Sequence, residues 1–203
     1  MALEEFFTRS PLEVGPALLG AVLRRDSPEG HVTVRLTEVE AYCGPVDPGS
    51  HAYRGKTPRT TPMFGAPGRL YVYFTYGMHW CMNLVAHEEG KVGAVLLRAA
   101  EILEGHDVVL QRRGKESMTP KIASGPANLA QSLGLNGEYS GLTLSEAGIA
   151  LTPSSQKQDV LSSGRVGVSG VGGDPVAFPW RYYLQHNSVS AYRPGKNVPN
   201  LNR

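Results

Sequence analysis

The chain has 203 residues, a formal net charge of +2, 24 glycines, 15 prolines and two cysteines. A chain of this length buries enough surface to fold as one domain without a disulfide or a metal ion, and its Gly and Pro content indicates many turns and long connections rather than a helical bundle. Because it has neither an apolar run of roughly 18 residues nor a basic-then-apolar leader, we expect a cytoplasmic protein that is neither membrane-spanning nor secreted.

The N-terminal part of the chain predicts a helix followed by a β-hairpin. The sequence S-P-L-E at 10–13 has the spacing of a capping box, with proline at the first helical position. A helix that begins there should run through Leu19 and end at Gly20. The segments 21–25 and 31–42 then flank the turn sequence D-S-P-E-G, which is typical of a β-hairpin.

The middle of the chain predicts a long loop followed by three strands. Residues 43–68 are rich in Pro, Gly and polar side chains, and a connection of this length is usually functional or disordered. The segments 69–76, 78–86 and 92–99 are rich in aromatic, β-branched and other apolar residues, which is typical of strands, with a bend permitted at Gly77.

The C-terminal half predicts one further helix and several short strands. Residues 100–113 carry mixed helical signals, whereas 119–135 predict a helix capped by Ser124 and closed by Gly134. Short strand candidates occur at 142–146, 148–154, 165–170 and 180–186. Strands interrupted by a few helices favour an α+β fold, a single compact domain over residues 1–203 with a largely antiparallel sheet.

Two carboxylates continue the apolar face of the strand 31–42. Alternation places Glu38, Glu40 and Tyr42 on the side that begins with Val, Val and Leu. Such a glutamate either reaches water where the strand twists out at Glu38, or lies in a pocket where desolvation raises the pKa of a carboxyl and makes it a usable general base. The pattern alone favours the first interpretation, because most glutamates are exposed.

Two long segments are poor in acidic residues. The window from Pro48 to His87 has no Asp or Glu, and from Val160 to the C-terminus Asp174 is the only acid. If folding brings these segments together, they form a positive face suited to phosphate or nucleic acid; basic loops without a partner explain the pattern equally well. The basic residues are Arg54, Lys56, Arg59 and Arg69 in the first segment, and Arg165, Arg181, Arg193, Lys196 and Arg203 in the second.

Metal and phosphate-loop motifs are not found. The histidines and cysteines match no common zinc spacing, and the G-V-G-G sequence at 170–173 lacks the lysine and the strand–helix context of a phosphate-binding loop. We therefore expect no metal, no cofactor and two buried, reduced thiols. The residues considered for a metal site were His51, His79, His87, Cys43 and Cys81.

Several separate motifs resemble the alkyladenine DNA glycosylase family, also called the 3-methyladenine or methylpurine DNA glycosylases. They occur in the family's order and cover most of the chain, and they identify it as similar to a bacterial member. The motifs are T-E-V-E-A-Y (37–42), D-P-G-S-H-A (47–52), T-P-R (57–59), P-G-R-L-Y-V-Y-F-T-Y-G-M-H-W-C-M-N (67–83), V-L-L-R-A (95–99), S-G-P-A-N-L-A-Q (124–131) and R-V-G-V (165–168).

The resemblance implies a fold and a reaction. It implies a curved, mainly antiparallel sheet with flanking helices and a protruding β-hairpin that inserts into the DNA minor groove. The implied reaction is hydrolysis of the N-glycosidic bond of damaged purines in duplex DNA. Glu40 resembles the general base that activates water, and Arg98 and the backbone carbonyl of Val166 resemble the groups that hold that water.

The resemblance also implies a base pocket and a wedge. Tyr76 resembles the side chain that enters the duplex where the nucleotide leaves, and Met78 flanks it. His79 departs from the aromatic residue that vertebrate members carry there, which leaves the detail of DNA contact open. The implied pocket residues are Tyr42, His51, Tyr73 and Asn83, and the candidate phosphate contacts are Arg54, Lys56, Arg59 and Arg69.

Two other functional classes remain open at the level of the sequence. One is a non-catalytic nucleic-acid-binding module that stacks bases on aromatic side chains, although a carboxylate at Glu40 would then repel phosphates. The other is a free-nucleoside hydrolase, which would need neither Tyr76 nor the basic loop. We expect a monomer in the cytoplasm, associated with the nucleoid, whose partner is duplex DNA with damaged purines. No lysine lies at a matched catalytic position, so no Schiff base is expected.

Overall fold

An antiparallel sheet dominates the computed structural model, which describes residues 3–199. The sheet curls around one side of a single domain, so the predicted α+β class and antiparallel sheet are confirmed. Its strands within the described range are β1 (Val22–Ser27), β2 (Gly30–Tyr42), β3 (Leu70–Thr75), β4 (His79–Val85), β5 (Ala94–Glu104), β6 (Ile149–Thr152), β7 (Leu161–Ser163) and β8 (Arg181–Tyr183).

The sheet divides along the long strand β2. The main order is β3-β4-β5-β2-β1-β6, and one edge of β2 pairs with β5 along most of its length. On the other edge, the first half of β2 pairs with β1, with Arg35 opposite Val22. The second half pairs instead with β8, which places Glu40 opposite Arg181, and β8 continues the sheet to β7. The residues around Glu40 are therefore enclosed by strands on both edges.

Within the described residues, four short helices flank this sheet: α1 (Leu3–Phe7), α2 (Pro11–Ala17), α3 (His106–Arg113) and α4 (Pro126–Ser132). Helix α2 packs on β2, and α4 packs on β4 and β5. Single 3₁₀ turns lie at Gly44–Val46, Thr61–Phe64, Gly137–Tyr139 and Gly170–Gly173. Within residues 3–199, every helix falls short of the length and apolar content that crossing a membrane requires.

The predicted bounds of the helices are only partly right. Ser10 Oγ accepts from the Leu12 amide and Glu13 reaches back to the Ser10 amide, so the predicted capping box is present. The helix ends at Ala17, earlier than predicted, and turns into the left-handed Gly20 (φ 77°). In α4, the N-cap is Gly125 and not Ser124, and Pro126 occupies the first helical position.

The strand predictions hold for β1 to β6 and β8 but fail at two segments. Residues 142–146 form a turn, because Glu146 accepts from the Thr143 amide and hydroxyl. Residues 165–170 form a loop, because Gly167 (φ 73°) and Gly170 (φ 65°) adopt left-handed conformations that no strand permits. The region with mixed helical signals contains the end of β5 followed by α3.

A small hydrophobic cluster ties the long loop after β2 to the sheet. Ala52 and Met63 from the loop pack with Tyr71, Val85 and Ala94 from β3, β4 and β5. This cluster is separate from the main core, which lies between the sheet and the helices. It anchors a connection of more than twenty residues beside the β3–β4 hairpin, so loop and hairpin together can shape one cavity.

Candidate active site

A cavity of about 430 Å³ opens between the ends of β2 to β5, the long loop and the segment 165–170. The residues that the sequence singled out for a base pocket and for holding water converge on it. Those that line it are Tyr42, His51, Tyr73, Tyr76, Asn83, Arg98 and Val166. Positions more than 120 residues apart in the chain thus meet at one site.

The two carboxylates of β2 are both fully buried, with 0% exposure of Glu38 and of Glu40. The interpretation in which the strand leaves the protein at Glu38 is therefore wrong. The strand does not reach solvent at Glu38 because β8 pairs with this half of β2 and brings Arg181 into contact with the Glu38 carboxylate. Alternation grouped Glu38, Glu40 and Tyr42 on one face correctly, but it is wrong that this face continues that of Val34 and Leu36. Register shifts in β2 between Leu36 and Val39 leave Leu36 and Val39 in the main core and turn the two carboxylates to the cavity side.

Glu40 lies behind the cavity wall and accepts hydrogen bonds from three residues of that wall. The Val166 amide donates to Oε1 at 2.6 Å, and the Tyr42 hydroxyl donates to Oε2 at 2.8 Å. Arg98 Nη1 donates to Oε2 at a longer 3.3 Å. Three donors around one carboxylate suit its ionised form, which only accepts hydrogen bonds.

Glu38 anchors Arg98 from the other side. Arg98 Nε and Arg181 Nε donate to Glu38 Oε1 at 2.8 and 2.7 Å, and the Ser190 amide donates to Oε2 at 2.6 Å. Burial alone would raise the pKa of Glu38, but the two guanidinium groups and the hydrogen bonds outweigh it and hold this pKa below its usual value. Burial likewise lowers the pKa of Arg98, but Glu40 and Glu38 outweigh this effect and raise it. The sequence motifs assign no role to Glu38.

Arg165 supports the back of Tyr42. It is fully buried and forms a fork with both carboxylate oxygens of Asp47, at 2.6 and 2.7 Å. Its guanidinium lies 4.6 Å from the centroid of the Tyr42 ring and also faces the rings of Phe178 and Trp180. Burial, followed by the charge of Glu40, raises the pKa of Tyr42 well above its ordinary value, so the phenol stays protonated and can donate to Glu40.

Three rings form the opposite wall. His51 Nδ1 lies 3.0 Å from the Tyr71 hydroxyl, and the His51 ring packs edge-on against Tyr73 at 4.6 Å. The Arg59 guanidinium lies 5.1 Å from the Tyr73 centroid. His51 lies at the mouth of the cavity with one side reaching solvent, and partial burial of its ring, followed by the charge of Arg59, lowers its pKa to about 4. The three rings are therefore neutral at physiological pH, and the positive charge on this wall is that of Arg59.

Asn83 and Cys81 complete the floor of the cavity. Asn83 is buried, and its Nδ2 donates to the Tyr71 carbonyl at 2.9 Å, which fixes the side-chain amide against β3. Cys81 is also buried, and burial raises the pKa of its thiol. Among the described residues, no group of three His, Cys, Asp or Glu side chains is arranged to hold a metal ion.

The tip of the β3–β4 hairpin presents two bare apolar side chains. Tyr76 is 84% exposed and Met78 is 68% exposed. The Met78 amide donates to the Thr75 carbonyl, and both intervening residues have positive φ, 52° at Tyr76 and 68° at Gly77. Positive φ is unfavourable for a tyrosine, and such strain often marks functional sites. The wedge position therefore protrudes from the rim of the cavity.

The predicted positive face is smaller than the sequence indicated. Arg54, Lys56 and Arg59 are exposed on the long loop. Arg69 is different, because its Nη1 donates to the Gly141 carbonyl at 2.7 Å and it lines a separate cavity beside α1. Arg165 and Arg181 are buried in ion pairs, whereas Arg193 and Lys196 are exposed. Arg203 lies outside the described residues.

Comparison with known proteins gives matches over most of the chain. A model of the methylpurine-DNA glycosylase family matches residues 5–188. A protein of Streptomyces avermitilis named "Putative 3-methyladenine DNA glycosylase" is 48% identical over 200 residues, which cover 93% of this chain and 90% of that protein. Proteins of the same name from Leifsonia xyli subsp. xyli and Frankia casuarinae are 49% identical over 193 residues and 42% identical over 200 residues. They cover 92% and 94% of this chain and 90% and 92% of their own lengths. The resemblance seen in the motifs is thereby confirmed.

Proposed function

The chain belongs to the methylpurine-DNA glycosylase family, and we propose that it is a monofunctional DNA glycosylase of base excision repair. It removes alkylated or deaminated purines from duplex DNA: 3-methyladenine, 7-methylguanine, hypoxanthine and ethenoadenine. The observation that carries this proposal is the buried Glu40 carboxylate, held by three donors directly behind a cavity lined with tyrosines.

Glu40 acts as the general base. A carboxylate has roughly four acceptor positions, and the described residues supply three donors, two of them on Oε2. One position therefore remains on Oε1, next to the segment that carries Val166. A water held there, by Glu40 together with Arg98 and the Val166 carbonyl, is placed to attack C1′ of an extruded nucleotide. The glutamate also stabilises the positive charge that develops on the sugar.

The tyrosines recognise the base. Tyr42 and Tyr73 present flat faces on which an extruded purine can stack, at roughly 1–3 kcal/mol per base. Methylation at N3 or N7 makes a purine cationic, and an electron-rich ring attracts a cation. A neutral His51 does not repel it. Asn83, fixed against Tyr71, disfavours the 2-amino group, which guanine and 7-methylguanine carry and which 3-methyladenine, hypoxanthine and ethenoadenine lack.

The hairpin tip opens the duplex. Rotating a nucleotide out of the stack costs a few kcal/mol, and a side chain that fills the gap offsets part of this cost. Tyr76 enters the duplex from the minor groove and Met78 flanks it, since both are exposed at the rim of the cavity. Arg54, Lys56 and Arg59 on the neighbouring loop contact phosphates, which position the protein without reading sequence.

One chain is sufficient for this reaction. The general base, the base pocket and the wedge all lie within residues 3–199, so we propose that the whole chain is one glycosylase domain that acts as a monomer. Its substrate is nucleoid DNA in the cytoplasm. The described part of the chain brings no lysine to the cavity, which supports hydrolysis by water without a Schiff base.

The test is base release from a defined substrate. The protein is incubated with duplexes that each carry one of the four lesions, and free base is measured by mass spectrometry before and after alkaline cleavage of the strand. We expect free base and intact strands until alkali is added. A covalent adduct after borohydride treatment would contradict the monofunctional mechanism. Tight binding of lesion duplexes without base release would instead identify a non-catalytic binding module, and release from free nucleosides alone would identify a nucleoside hydrolase.

A further inference from the structure

Glu38 has no part in the reaction described above, yet it accepts four hydrogen bonds beside the site. It is 0% exposed and accepts from Arg98, from Arg181 and twice from Ser190, whose hydroxyl lies 2.8 Å from Oε1. A buried carboxylate is costly unless it is fully paired, and replacing such a pair by apolar residues is often neutral or stabilising. Stability alone therefore does not account for an ionised group at this position.

We propose that Glu38 is a positioning residue for base excision, which orients Arg98 and balances the charge around Glu40. This inference rests on the proposed function, because it concerns the same site. It adds a second carboxylate, with a different task, to the one that acts as the base.

The hydrogen bonds around Arg98 carry the orienting role. Arg98 Nε donates to Glu38 at 2.8 Å, whereas its Nη1 reaches Glu40 only at 3.3 Å and its Nη2 reaches Ser190 Oγ at 3.3 Å. The shortest contact is thus with Glu38, which fixes the plane of the guanidinium. Its far edge is then presented to Glu40 and to the cavity, which Arg98 lines.

The balance of charge carries the second role. Arg98 of β5 pairs with both Glu38 and Glu40, and Arg181 of β8 pairs with Glu38. The cluster therefore contains two negative and two positive groups. Arg165 is compensated separately by Asp47. The remaining titratable groups facing Glu40, which are Tyr42, Tyr73 and Cys81, have their pKa values raised by burial and stay neutral. Without Glu38, the buried cluster would carry a net positive charge beside a sugar that itself becomes positive in the transition state.

The test is a charge cycle in the full chain, made from Glu38→Gln, Arg181→Gln and the double variant. Single-turnover base release from a hypoxanthine duplex is measured across pH. We expect Glu38→Gln to slow release by about tenfold or more. It should also move the acidic limb of the profile to lower pH, because the extra positive charge favours the ionised base. Arg181→Gln should move that limb to higher pH. Each shift should be on the order of one pH unit, and the double variant should return the limb towards that of the wild type.

A structural role predicts something else. If Glu38 only stabilised the fold, the two single variants would lower the melting temperature without moving the acidic limb, and the double variant would be the least active. An unmoved limb in the single variants, or a double variant that is the least active, overturns the inference.

If Glu38→Gln does not fold, Arg181→Gln alone decides, since an unmoved acidic limb in that variant contradicts the charge balance. The matched control is Glu101→Gln, also a carboxylate paired with an arginine but partly exposed on β5, which should leave the profile unchanged. Wild-type activity on the same duplex, and its loss in Glu40→Gln, would show that the proposed function stands even if this inference fails.

Discussion

At the scale of single residues, tyrosine serves three different purposes around the cavity. Tyr42 donates its phenol to Glu40, and burial keeps that phenol protonated. Tyr73 offers a ring to the cavity and packs against His51. Tyr76 is neither buried nor paired with a ring in the described structure, and it protrudes in a strained backbone conformation. An aliphatic residue could fill space at any of these positions but could neither donate a hydrogen bond nor stack.

The exposed position of Tyr76 leads to a prediction about extrusion. Tyr76→Ala should reduce single-turnover base release by about tenfold or more, because the gap left by the extruded nucleotide would stay unfilled. Its melting temperature should be unchanged within error, since the side chain is 84% exposed. Leu161→Ala is the matched control, an exposed apolar side chain on β7, far along the sheet from the hairpin. Equal rates for Tyr76→Ala and wild type would rule out the wedge.

The surroundings of His51 lead to a prediction about pH. Its pKa is lowered to about 4, first by burial of the ring and second by Arg59, so the folded protein should hold His51 neutral from pH 5 to 8. NMR of the imidazole protons should show no titration in that window. In Arg59→Ala, the loss of a nearby positive charge should raise the pKa of His51. Titration of His51 near its ordinary pKa in the wild type would contradict the account of three neutral rings.

At the scale of elements, local patterns predicted most of the fold. The capping box, the β1–β2 hairpin and the strands β3, β4 and β5 follow from short-range signals in the sequence. The strand prediction for 165–170 was wrong, because the valines of this segment are typical of a strand but its glycines adopt left-handed conformations. Strand patterning assumes regular alternation, so it could not show the register shifts in β2 that separate Glu38 and Glu40 from the core face of Leu36.

The candidate site was predictable to a similar extent. The motifs predicted that Tyr42, Tyr73 and Asn83 share one pocket, and all three line the cavity. The hydrogen bonds and ion pairs that hold this pocket in place could not be predicted from the motifs. Arg165 and Asp47 are 118 residues apart, and Glu38 and Ser190 are 152 apart. A charged residue in the sequence carries no sign of its partner, so Arg165 and Arg181 were assigned to a surface although both are buried.

The buried pair of Arg165 and Asp47 leads to a prediction about stability. Arg165→Met should lower the free energy of unfolding by about 3–5 kcal/mol, because Asp47 would remain buried without its partner. Urea unfolding measures the change. The comparison variant is Arg24→Met, which breaks an exposed ion pair with Asp26 and should cost less than about 1 kcal/mol. Similar costs for the two variants would show that the buried fork does not hold the loop against β2.

At the scale of the whole molecule, the arginines buried at the site are paired, and other basic residues near it lie at the surface. The buried arginines of the site are paired with carboxylates, whereas basic residues of the long loop are exposed beside the cavity. The C-terminal segment contributes to both layers, because Ser190 binds Glu38 while Arg193 and Lys196 remain at the surface. An electroneutral interior below a basic rim suits the proposed approach to a phosphate backbone.

This sorting leads to a prediction about salt. The logarithm of the affinity for a lesion duplex should fall linearly with the logarithm of salt concentration, and Arg54→Ala or Lys56→Ala should each reduce the slope by about 0.9. Arg69→Ala should leave the slope unchanged, because its guanidinium is bonded to the Gly141 carbonyl. An equal effect of Arg69→Ala would show that the phosphate-contacting surface extends beyond the exposed loop.

The central claim is that Glu40 activates water against an extruded nucleotide, and one variant tests it most directly. Glu40→Gln keeps the shape of the side chain but removes its negative charge. Single-turnover base release and duplex affinity are measured on the same hypoxanthine substrate for this variant and the wild type. The account predicts that affinity stays within about threefold while the rate falls by at least about a hundredfold. Full activity in Glu40→Gln would contradict it.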